Sequence, residues 1–128
     1  MKKALYISTA AIVLVVLTFQ LALSASLNRI DGDELRKMMK DGGQLTIVDV
    51  REPELFTKGH IPGAINIPYD GAHSRVLKEL SPKDRIVFVC HGGPMGDELG
   101  DLLIKNGYTS VYNLKGGMRN WSGPFSVK

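Results

Sequence analysis

Cys90 is the single cysteine of the chain, and it is followed by His91, Gly92, Gly93, Pro94, Met95 and Gly96. The run before it, Arg85-Ile86-Val87-Phe88-Val89, is short, apolar and β-branched, which predicts a buried strand. Two glycines and a proline then force a tight turn. Asp97 and Glu98 open a helical pattern, with Leu99, Leu102 and Leu103 at i, i+3 and i+4 and Gly107 as the residue beyond the last turn. Strand, loop and helix in this order put Cys90 at the carboxyl end of a sheet strand, the edge where open α/β sheets bind ligands.

That placement has chemical consequences. A Gly-rich turn entering a helix gathers backbone N–H groups into one concavity. The helix N-terminus adds a partial positive charge of about half a unit. Both favour a thiolate, the reactive form of cysteine. A free cysteine can also simply fill a core. A strand-end position against Gly92 and Gly93 speaks for a nucleophile instead. The amides of His91, Gly92, Gly93, Met95 and Gly96 are the candidate donors to an anion held there, whereas Pro94 has no N–H to give.

The elements that must position this loop follow from the rest of the chain. Its 128 residues, 44% hydrophobic and 23% charged, fit one globular domain with an appendage. The appendage is residues 1–26: Lys2 and Lys3, an uncharged apolar stretch from Ala4 to Leu23, then Ser24, Ala25 and Ser26. Charged, apolar and small residues in that order predict a cleaved secretory signal, or an uncleaved membrane anchor as the alternative. Either places residues 27–128 outside the cytoplasm, in a periplasmic or similar compartment. Setting the appendage aside leaves 14 basic and 13 acidic residues, a net +1, so the basic pI gives no argument for nucleic acid. One cysteine excludes an internal disulfide.

Between these ends, strands and helices alternate. Ile30 closes a first strand, and Asp31 or Asp33 caps a helix that ends near Asp41-Gly42-Gly43. Leu45–Val50 is a second strand and Ala64–Ile67 a third. Val76, Leu77 and Leu80 mark a helix that stops before Pro82. Thr109–Leu114 is the fifth strand, and Gly116-Gly117 introduces a short helical turn before Trp121. Such alternation predicts a parallel sheet with right-handed crossovers.

Three segments carry a family resemblance: Asp49-Val50-Arg51-Glu52-Pro53-Glu54, Gly59-His60-Ile61-Pro62-Gly63-Ala64-Ile65-Asn66-Ile67-Pro68, and Tyr112-Asn113-Leu114-Lys115-Gly116-Gly117-Met118 with Trp121. With the Cys90 loop they resemble the rhodanese homology domain across the chain from about Leu27 onward. The resemblance implies a five-stranded parallel sheet flanked by helices on both faces. It also implies sulfur transfer through a Cys90 persulfide, from a donor such as thiosulfate or a polysulfide to cyanide, a small thiol or a protein thiol. This chemistry needs no metal and no organic cofactor. A membrane partner follows only if the N-terminal segment stays uncleaved.

The loop departs from the family pattern. Its last position, often arginine or another polar residue there, is Met95, and no arginine lies between Arg85 and Arg119. With Asp97 and Glu98 nearby, the loop reads as poorly suited to a dianion such as thiosulfate. Arg51 reads as an ion-pair partner of Glu52 or Glu54, with substrate binding as an auxiliary alternative. His60 is expected to bond backbone in its turn, His73 to lie at the surface, and Trp121 to cover the core. His91 either lines the mouth of the site or is solvated, and Asp49 caps or pairs at its strand end.

Two rival chemistries fail on residue types. A cysteine phosphatase needs a longer loop closed by arginine, and position 96 is Gly. A thiol–disulfide oxidoreductase needs a second cysteine. A catalytically weak sulfur-binding, sensing or carrier module is the rival that stands.

Overall fold

Short, largely apolar strands build the sheet. In the computed structural model, which describes residues 12–13 and 25–127, five strands run in the order β1-β5-β4-β2-β3 and every pairing is parallel. They are β1 (Asn28–Ile30), β2 (Thr46–Asp49), β3 (Ile65–Asn66), β4 (Ile86–Val89) and β5 (Val111–Leu114), with helix α2 (Pro53–Lys58) between β2 and β3. Strand β4, leading to Cys90, is buried at all four positions and lies at the centre. A continuous apolar run suits that place, because both faces of a parallel sheet are covered.

The period of two along each strand divides the core. Ile86 and Phe88 face α3 (Ala72–Glu79) and α4 (Pro94–Lys105), together with Val48, Val76, Leu99 and Leu103. Val87 and Val89 face the other way, toward Leu35 of α1 (Gly32–Lys40), Ile61, Leu114 and Trp121. Helices therefore cover both faces, and Trp121 is buried as expected. The apolar stretch read as a signal or anchor lies outside the described residues apart from Ile12 and Val13. Among the described residues, no helix is long and apolar enough to cross a membrane.

Several element ends differ from the sequence reading: β5 starts at Val111 instead of Thr109, and a short helix that the sequence reading leaves unassigned covers Pro53–Lys58. Helix α4 begins at Pro94, not Asp97, because proline at the first helical position gives up only an N–H that has no helical acceptor. Strand β3 contracts to two residues at the sheet edge, where it pairs with β2 alone. Of the two candidate caps of α1, Asp31 holds the place. Its carboxylate accepts from the Glu34 N–H at 2.8 Å, and its own N–H donates to the Glu34 carboxylate at 2.8 Å. Asp33 instead pairs with Arg36.

Candidate active site

Strand β4 delivers Cys90 to the carboxyl edge of the sheet, where the chain turns into α4. The side chain is 1% exposed, at the base of a cleft of about 220 Å³ that His91, Gly92, Pro94, Met95 and Arg119 also line. The Gly93 N–H is aimed at the sulfur, with N···Sγ of 2.9 Å. Gly93 adopts φ +121°, a conformation that side chains rarely permit, so the loop can turn this amide inward only with glycine there.

The loop is held from β5. Asn113, buried in the face toward α4, donates from Nδ2 to the Gly93 carbonyl and to the Asp97 carboxylate, both at 2.8 Å. Among the described residues, its Oδ1 is buried without a hydrogen-bond partner, and it packs against Gly96, where a Cβ would stand 2.0 Å away. Gly96 does not line the cleft. It lies within α4 and admits the Asn113 carboxamide, which fixes the loop one step back from the sulfur.

A second clamp comes from the 3-10 turn Gly117–Asn120. The Met118 N–H donates to the Cys90 carbonyl at 2.8 Å, and the Arg119 N–H to the His91 carbonyl at 3.2 Å. This docking needs Gly117, whose φ is +56° and whose Cβ would meet the Cys90 carbonyl oxygen at 2.2 Å. It brings Arg119 to the cleft, with Nη1 only 3.2 Å from where a Gly92 Cβ would be. The Cys90 loop contains no cation, but the assembled site does. Arg119 escaped the sequence reading because it lies beyond a whole helix and strand; the adjacent pair Gly116-Gly117 was the available signal of a close backbone approach.

The two acids expected to oppose an anion are engaged elsewhere. Asp97 accepts from Arg29 Nε at 3.0 Å as well as from Asn113. Glu98 is bonded by Tyr69 and by His73, the latter at 3.2 Å, and these bonds hold its carboxyl below the ordinary range. The bond to Glu98 also raises the Tyr69 phenol. His73 is a surface residue, as expected.

Arg51 pairs with Asp49, not with Glu52 or Glu54. Nη2 lies 2.7 Å from Asp49 Oδ2 and donates to the Gly59 carbonyl at 2.8 Å. Residues two apart in extended chain share a face, which brings this pair together at the end of β2. Arg51 is buried and does not line the Cys90 cleft. His60 Nδ1 bonds the Phe56 carbonyl at 2.7 Å, a backbone contact as expected. His91 lines the cleft and places Nε2 2.8 Å from Glu52. The Glu52 carboxyl is held low first by its own backbone N–H and then by His91. Met95 lines both the cleft and a second cavity of about 420 Å³ bordered by Val50, Glu52, Glu54, Tyr69 and Asp70.

Fold and site define a parallel α/β domain that presents a lone cysteine from a loop clamped on two sides. Residues 31–124 match the rhodanese-like domain family, and the chain belongs to that family. It is 35% identical over 104 residues to the putative sulfur carrier protein YrkF of Bacillus subtilis, covering 81% of this chain but only 51% of that protein. A sulfurtransferase of Allochromatium vinosum is 33% identical over 96 residues, covering 74% of this chain and 88% of the relative. The crystal structure of a rhodanese-like domain protein from Staphylococcus aureus superposes with a TM-score of 0.71 at 30% identity, covering 79% of this chain and 98% of that one.

Proposed function

We propose that the domain is a sulfurtransferase that carries sulfane sulfur on Cys90. The Gly93 N–H aimed at Sγ, at the base of a cleft, carries this reading. The Cys90 thiolate attacks the outer sulfur of a donor. A new S–S bond forms, the donor's S–S bond breaks, and its electron pair leaves with sulfite when the donor is thiosulfate. An acceptor thiolate or cyanide then takes the outer sulfur, giving a persulfide or thiocyanate and regenerating the Cys90 thiolate. Backbone N–H donors around the terminal sulfur stabilise the anionic intermediate, and no cofactor enters either step.

A carrier that loads once and waits for a partner is the second reading. Met95 favours it, since this apolar side chain occupies the loop's last position and walls one side of the cleft. Steady-state assay with thiosulfate or polysulfide and cyanide separates the two. The sulfurtransferase reading expects many thiocyanates per Cys90. One sulfur per Cys90 and no turnover would leave the carrier.

The order of residues at the N-terminus supports a further proposal: residues 27–128 act as an exported domain. The intact mass of protein recovered from its host should correspond to a chain starting near Leu27. A membrane-bound species retaining Met1 would mean an anchor instead of a cleaved signal.

A further inference from the structure

Arg119 differs from every other arginine of the chain. Arg29, Arg36, Arg51, Arg75 and Arg85 each pair with a carboxylate. Among the described residues, Arg119 has no such partner, and its guanidinium lines the cleft that holds Cys90. The position is built. Two backbone hydrogen bonds, from Met118 to Cys90 and from Arg119 to His91, fasten the turn to the loop, and Gly92 has no side chain where the guanidinium rests.

We infer that Arg119 is the specificity-determining cation of this site and selects donors whose sulfane sulfur is attached to an oxyanion head, the thiosulfate and thiosulfonate class. The inference rests on the persulfide reading above. A guanidinium offers a planar fork of N–H donors that matches two oxygens of one head group, which a single ammonium cannot reproduce. In the transfer from thiosulfate, the Cys90–sulfur bond forms as the sulfur–sulfonate bond breaks, and the electron pair moves onto the departing sulfite. Negative charge on the oxygens grows along this path. A cation at the oxygens therefore acts more strongly in the transition state than in the bound donor, and its loss lowers kcat as well as raising KM. A hydropersulfide donor has no oxyanion head and leaves as a thiolate, so it gains little from the same group.

This placement also revises the expectation for Met95. A second cation there, as in Met95→Arg, would add to Arg119 instead of supplying the first positive charge of the cleft.

The test compares Arg119→Gln and Arg119→Lys with the parent, using thiosulfate and the hydropersulfide of 2-mercaptoethanol as donors, each at low and high ionic strength. The Arg119 side chain is exposed and its clamp is a backbone N–H, so both variants keep the loop; circular dichroism melts check this. The specificity constant for thiosulfate should fall about tenfold in Arg119→Gln, and by less in Arg119→Lys, as one screened charge contact at short range predicts. The constant for the hydropersulfide should change less than about twofold, as the smaller charge contact predicts. High salt should lower the parent's thiosulfate constant more than that of Arg119→Gln. Unchanged use of thiosulfate by Arg119→Gln, or an equal loss with both donors, would overturn the assignment while sulfur transfer itself stands. A parent that forms no Cys90 persulfide from either donor would overturn the sulfur-transfer reading, and this inference with it.

Discussion

Cys90→Ser should abolish sulfur transfer and leave the fold in place. A hydroxyl is a far weaker nucleophile than a thiolate at neutral pH unless a general base activates it. The imidazole that lines the cleft with Cys90, on His91, has its Nε2 committed to Glu52 at 2.8 Å. Loss of a covalent nucleophile costs on the order of a thousandfold or more in rate. The fold should tolerate the change because serine is slightly smaller, and the Gly93 N–H that faces Sγ is available to bond the new oxygen. Thiocyanate production and a thermal melt, measured side by side, check both halves. A variant as active as the parent would mean that the sulfur travels by another route. An inactive variant that has also unfolded would return Cys90 to the role of a core residue.

Gly117→Ala should damage both stability and activity. The added Cβ would lie 2.2 Å from the Cys90 carbonyl oxygen, 2.7 Å from the His91 carbonyl carbon and 2.8 Å from the Gly92 nitrogen. All three are backbone atoms of the loop, so no side-chain rotation relieves the contact. The left-handed conformation alone costs a non-glycine residue about 1–2 kcal/mol. With the clash, a loss of roughly 2–4 kcal/mol is expected, the upper part of the usual range for single substitutions. The 3-10 turn must then lift from the loop, which withdraws Arg119 and frees the Cys90 peptide. Gly63→Ala serves as the comparison, since Gly63 has φ +82° but, among the described residues, nothing within 4 Å of its would-be Cβ. It should lose only the conformational part. Denaturant melts and thiosulfate turnover of both variants check this. Equal effects of the two substitutions would mean that the turn does not clamp the loop.

Some parts of the molecule are legible along the chain and others are not. The central strand and its cysteine are legible because Ile86–Val89 is a β-branched run between charged and glycine-rich neighbours, a local signal that tertiary structure reinforces. The start of α4 is less so: Pro94 reads equally as a turn residue and as the first residue of a helix. The partner of Arg51 was open to a closer reading, since Asp49 and Arg51 are two apart in extended chain while Glu52 and Glu54 point from the segment beyond. Asn113 carried a signal that only the fold explains. A carboxamide inside an apolar strand has to find buried partners, and these are Gly93 and Asp97 across the β5–α4 contact. Arg119 depends on contacts of the same long range. Its position follows from a backbone approach between segments far apart in sequence, and no local pattern encodes that distance.

The acids of α4 teach the same lesson about charge. Counted along the sequence, Asp97 and Glu98 face an anion site with nothing to oppose them. In the folded chain Arg29 reaches Asp97 from β1, while Tyr69 and His73 reach Glu98 from the segment leading into α3 and from its first turn. Arg119 is then the arginine at the cleft with no carboxylate partner among the described residues.

The most direct test of Cys90 as a sulfur carrier is the mass of the Cys90-containing peptide before and after donor treatment of the full chain. Thiosulfate or hydropersulfide should add one sulfur atom to Cys90, and cyanide should remove it and yield an equal amount of thiocyanate. A peptide whose mass is unchanged by every donor, or an added sulfur that no acceptor removes, would contradict the account.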